Sequence, residues 1–65
     1  MRLAACFGKD VIINTVDGKT FSGRISDYIE PIHNENGQES IVIDDVSSKY
    51  PIELYWDDID SIRVL

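Results

Sequence analysis

Asp57, Asp58 and Asp60 crowd one short stretch, and Asp44 and Asp45 form a second acidic pair. Carboxylate oxygens are the ligands of a hard cation such as calcium. The ligand density and central glycine of a calcium loop are missing, so these residues read as turn-forming, solubilising carboxylates and no metal is expected. His33, the sole histidine, has the chemistry of a general base or pH sensor. It lies beside Asn34 and Glu35 with no serine or cysteine close in sequence, which fits a surface position. Cys6 sits among Leu3, Ala4, Ala5 and Phe7 and reads as a buried thiol rather than a nucleophile. No nucleophile–base pair, phosphate loop or metal cluster reaches motif strength. The expectation is a non-enzymatic chain without a cofactor.

Binding chemistry is better represented. Tyr28, Tyr50, Tyr55 and Trp56 offer flat faces on which nucleic-acid bases stack, although aromatics of a small β-domain more often serve a core or an interface. Tyr55 alternates with Leu54 and Trp56, so one aromatic of the pair faces outward and invites a partner. Charge opposes nucleic acid: twelve acidic against six basic residues give a net charge of −6. Arg2, Lys9, Lys19, Arg24, Lys49 and Arg63 are scattered, whereas nucleic-acid binding uses a basic footprint that releases counterions.

These residues must be positioned by a single domain spanning 1–65, since 65 residues suffice for one core only. Chains this short bury about 60% of their unfolded surface and are marginal alone. One cysteine allows no internal disulfide and no cysteine-based zinc site, which leaves an efficient core or self-association. A single cysteine fits a reducing compartment. The apolar run at positions 3–7 is too short for a membrane span or signal peptide. A cytoplasmic protein without membrane contact is expected.

Arg2 to Phe7 reads as one or two helical turns with Leu3 and Phe7 on one face and Gly8 as the left-handed cap. Strand signals follow. Val11 to Val16 is rich in β-branched residues, and Asp17-Gly18 forms a two-residue hairpin turn. Phe21, Ile25 and Ile29 then alternate with polar residues. Gly23 falls on the inward side of this strand, where a missing side chain marks a sharp bend or a close backbone approach. Pro31 is assigned to a bulge that shifts the inward parity to Ile32, and the Asn36-Gly37 turn sets Ile32 opposite Ile41. Ser40–Asp44 is the third strand. Ile52–Trp56 is the fourth, with Ile52, Leu54 and Trp56 on one face. Asp57-Asp58 is a tight turn, and Ile59–Leu65 is the fifth strand, burying Ile62 and Val64. The fold class is all-β: a small five-stranded antiparallel barrel with a short N-terminal helical turn, closed or nearly closed so that strand edges are hidden.

Lys9 to Gly23, KDVIINTVDGKTFSG, resembles the first half of the Sm motif of Sm-like (LSm) proteins, matched at Val11, Ile13, Gly18, Phe21 and Gly23. The closing YWDDIDSIRVL also looks like the end of an Sm fold. The resemblance implies a self-associating barrel that binds RNA through an acidic residue and an asparagine after strand two and through an Arg-Gly or Lys-Gly pair near strand five. Here Asp27 stands closer to Gly23 than that spacing, and Trp56-Asp57-Asp58 occupies the place of the basic pair. GRISDYIEPIHNENGQESIVIDD with WDDIDSI is similar, in turn, to the PRC-barrel family, which implies a protein-interaction adaptor.

Of the two families, the glycine spacing and the N-terminal turn fit the Sm-like one better. The expected ligand or RNA-binding residues are Tyr28, His33, Asn34 and Asn36. The expected homo-oligomer interface, along the edges of strands four and five, comprises Leu54, Tyr55, Trp56, Ile62 and Val64. Gly18, Gly23 and Gly37 are structural.

Overall fold

A computed structural model describes residues 2–65. An N-terminal 3-10 turn, Leu3–Cys6, precedes five strands: β1 (Asp10–Thr15), β2 (Thr20–Ile29), β3 (Ser40–Asp45), β4 (Ile52–Tyr55) and β5 (Ile59–Val64). All neighbouring strands are antiparallel, in the order β4-β3-β2-β1-β5. The class is therefore all-β, as expected. The sheet curls around one core within 29 × 25 × 24 Å. Its two end strands, β4 and β5, do not pair with each other.

The core follows the period of two. Val11 and Ile13 of β1, Ile25 of β2, Ile41 and Ile43 of β3, and Leu54 of β4 are buried on one face. Leu3 and Cys6 seal one side of it. Here the expected pairing of Leu3 with Phe7 is corrected: Phe7 is 55% exposed. A 3-10 turn eclipses side chains three apart, so Leu3 shares its face with Cys6. The turn holds because the chain leaving it docks on β2, where the Gly8 N–H donates to the Ile25 carbonyl and the Ile25 N–H to the Lys9 carbonyl, at 2.8 and 3.0 Å.

The first hairpin has a three-residue loop, Val16 to Gly18, rather than a two-residue turn. The Thr15 N–H donates to the Lys19 carbonyl at 2.9 Å, and the Gly18 N–H closes a turn onto the Thr15 carbonyl at 3.1 Å. Gly18 has φ +87°, the left-handed residue this loop length requires. The Thr15 hydroxyl also donates to the Asp17 carboxylate within this loop.

Two further expectations are corrected in β2. The bulge lies between Ile25 and Asp27, not at Pro31. Pro31 instead opens a 3-10 turn, Pro31–His33, where its fixed φ suits the first position and no N–H is needed. The parity shift therefore comes earlier than expected: Tyr28, not Ile29, packs against the core and faces Ile41. Ile32 is 84% exposed and pairs with nothing in the sheet. Trp56, expected beside Ile52 and Leu54, leaves the strand for a 3-10 turn, Trp56–Asp58. Ile62 packs on the core, but Val64 remains 37% exposed.

Gly23 is the point of closest approach between β2 and β3. A Cβ there would overlap the Asp44 carbonyl oxygen and stand 2.7 Å from its carbon. Asp45 holds the two strands in this position. Its carboxylate accepts the Ser22 N–H at 2.7 Å and the Ser47 N–H and hydroxyl at 2.8 and 2.6 Å. The Val46 N–H donates to the Ser22 carbonyl at 2.9 Å. These bonds, led by the Ser47 hydroxyl, hold the Asp45 carboxyl below the usual carboxylate range.

Replacement of Gly23 by valine is expected to cost about 3 kcal/mol, because backbone rather than a movable side chain is in the way. Thermal melting followed by circular dichroism should show Tm lowered by more than ~10 °C for a domain of this size; an unchanged Tm would contradict the close approach. Asp45 also gives the fold an acid limit. Its folded pKa is depressed, so its contribution is complete above the unfolded carboxylate value near ~3.9 and is lost as pH falls through the folded one. Asp45→Asn should be less stable than the parent at neutral pH, and the gap should narrow on acidification. Urea unfolding at neutral and acidic pH measures both; a gap independent of pH would refute this role.

Candidate binding surface

Two loops meet at one end of the sheet: the β2–β3 connection, residues 30–39, and the Trp56–Asp58 turn between β4 and β5. Gln38 joins them. Its amide nitrogen donates to Asp57 Oδ2 at 3.0 Å, and its amide oxygen accepts the Asp57 N–H at 3.1 Å. Beside this pair the Trp56 N–H donates to the Glu39 carbonyl at 3.0 Å. On the other side Asp58 Oδ2 accepts the Tyr55 N–H at 2.9 Å. The backbone around Trp56 is thus pinned, while the residue as a whole is 50% exposed.

Tyr28, His33, Asn34 and Asn36 all belong to this end of the molecule, but most of their polar groups serve the loop. Asn34 Nδ2 donates to the Gln38 carbonyl and to Ser40 Oγ, at 2.8 and 3.0 Å. Asn36 Oδ1 accepts the Gln38 N–H at 3.0 Å, ahead of the turn in which Gly37 has φ +70°. The Tyr28 hydroxyl donates to Glu39 Oε1 at 3.0 Å, and this bond raises the phenol pKa. His33 ends the Pro31–His33 turn and is exposed. Gln38, Glu39 and Asp57 were not legible as partners in the sequence. Gln38 and Asp57 are 19 residues apart, and no periodic pattern connects them.

The acidic residues do not converge. Asp57 is held by Gln38, Asp58 by the Tyr55 N–H and Asp45 by Ser22 and Ser47. Among the described residues no cluster of His, Cys, Asp or Glu could hold a metal ion. Cys6 is buried, and burial pushes its thiol pKa up, away from the thiolate that reactivity needs.

The two sheet ends are unequal. In β4, the Trp56–Glu39 bond fixes the ladder so that the Leu54 backbone faces β3 and that of Glu53 faces away. This free edge is short. Pro51 has no N–H, and Asp58 occupies that of Tyr55. In β5, the Leu65 N–H donates to the Asp10 carbonyl at 2.9 Å. That register turns the backbone groups of Ile62 and Val64 away from β1. Of the expected interface side chains, Leu54 is 6% exposed in the core, Tyr55 and Ile62 are half-buried, and Val64 and Trp56 are exposed. Beside β4, a cavity of about 320 Å³ is lined by apolar Phe21, Ile52 and Leu54 together with Thr15, Lys19 and Asp58.

Among the described residues no helix is long and apolar enough to cross a membrane. The chain matches no family model, no curated protein and no solved structure.

Proposed function

We propose that the protein is a non-enzymatic, Sm-like binding and scaffold module of the cytoplasm that self-associates through β4 and β5. The observation that carries this reading is the pair of sheet ends that have no further strand beside them among the described residues. Each end leaves backbone donors and acceptors without a strand neighbour, and β5 adds the exposed apolar side chains of Val64 and Leu65. An unpaired edge next to apolar surface is a template for a further strand. Since the ends differ in sequence, the β4 edge of one copy pairing with the β5 edge of the next makes a heterologous contact, which closes into a ring when the rotation permits. Tyr55, Ile62 and Val64 line that contact, and Leu54 supports it from the core side.

RNA is the weaker branch of the same reading. Among the described residues two cations are ion-paired, Arg24 with Asp10 at 3.3 Å and Lys19 with Asp17 at 3.8 Å. Asn34 and Asn36 are committed to their loop. The carboxylates of the Trp56–Asp58 turn repel phosphate. Retention of a labelled oligonucleotide at low ionic strength, abolished by added salt, would establish this branch, and no retention would remove it.

Native mass spectrometry with light scattering at micromolar concentration tests self-association. The expected result is a defined multiple of the 7.4 kDa chain. A single 7.4 kDa species at every concentration would overturn the proposal.

A further inference from the structure

We infer that Trp56 and the two hollows beside it form a docking surface for an arginine-bearing basic segment of another protein. Trp56 borders both hollows, each of about 220 Å³. One is floored by Leu3, Ile59 and Ile62 and carries Asp60. The other lies against Pro31 and Gly37 and carries Glu39, one of whose oxygens accepts the Tyr28 hydroxyl. Each hollow thus combines Trp56 with a carboxylate, and among the described residues no Lys, Arg or His lines either one. A guanidinium satisfies both features at once. Its plane stacks on the electron-rich indole face, and its forked N–H groups meet a carboxylate at the rim.

The anchor is ordered before any partner arrives. The bonds from Glu39, Gln38 and Asp58 fix the turn on both sides of Trp56, so docking loses little further freedom there. A large aromatic on a backbone already fixed is the residue type that dominates binding energy at interfaces. The net charge of −6 draws a basic segment toward the protein and repels phosphates. This inference rests on the binding-module reading and does not require self-association; Ile62 is shared between one hollow and the β5 edge.

Trp56 is the only tryptophan, so its emission reports on the site directly. Titration with a short peptide alternating arginine and glycine should give a saturable change in emission, with an affinity that falls as salt is added. By anisotropy of the labelled peptide, Trp56→Ala should bind about tenfold more weakly. Asp60→Asn with Glu39→Gln should weaken binding while leaving Trp56 in place. The same change with a glutamate-for-arginine peptide or with an oligouridine would overturn the inference, as would an unresponsive emission or unaltered binding by these variants. A Trp56 spectrum that shifts on dilution of the protein alone would place the indole between copies and also refute it. A monomeric mass with peptide binding intact would remove self-association and leave this site standing.

Discussion

The approach of β2 to the Asp44 carbonyl at Gly23 is the constraint on which the remaining structure depends. Gly23 lies between Val11 of β1 and Asp45 of β3, the middle of the sheet. A side chain there would hold β3 away from β2. Without one, the strands close up, and Asp45 reaches across to the Ser22 N–H. The sheet can then wrap tightly enough for Ile13, Ile25, Ile41 and Ile43 to share one fully buried core. For 65 residues that economy matters, because little apolar area is available to offset the entropy of ordering the chain.

The same curl sets the character of the surface. It leaves β4 and β5 at opposite ends of the strand order without joining them. Pro51 and the Asp58 carboxylate shorten the usable edge of β4, whereas β5 offers Ile62 and Val64. That asymmetry favours contact between unlike edges over contact between like ones. Apart from the Trp56–Glu39 bond, the Trp56–Asp58 turn lies outside both ladders. The chain instead commits Gln38, Asp57 and Asp58 to holding it, and their position beside an exposed indole suits recognition of a cation better than recognition of a phosphate.

Much of the fold was legible in the sequence because it rests on local rules. Alternation placed Phe21 and Ile25 on the inward side of β2, where both pack, and the glycine at 23 marked a sharp bend or a close backbone approach. The errors share one origin, which is competition between local signals and tertiary bonds. Proline at 31 signalled irregularity, but the bulge formed at Ser26, where the register of β3 demanded it. Leu3 and Phe7 matched an α-helical face, yet the docked turn was 3-10 and selected Cys6. Trp56 continued an apolar alternation, but the chain turns there into the Trp56–Asp58 3-10 turn, capped by the Asp58 side chain on the Tyr55 N–H. The candidate surface was less legible still. Its residues come from segments 19 positions apart, and the asparagines that looked like ligands were the ones folding the loop.

Amide hydrogen exchange resolved by residue tests the central claim most directly, since the unpaired edges are made of specific N–H groups. If another copy satisfies them, the amides of Glu53, Ile62 and Val64 will exchange slowly at high protein concentration and quicken on dilution, while Ile13 and Ile43 in the core stay protected throughout. Rapid exchange of Ile62 and Val64 at every concentration would show that the edges remain bare and would contradict the account.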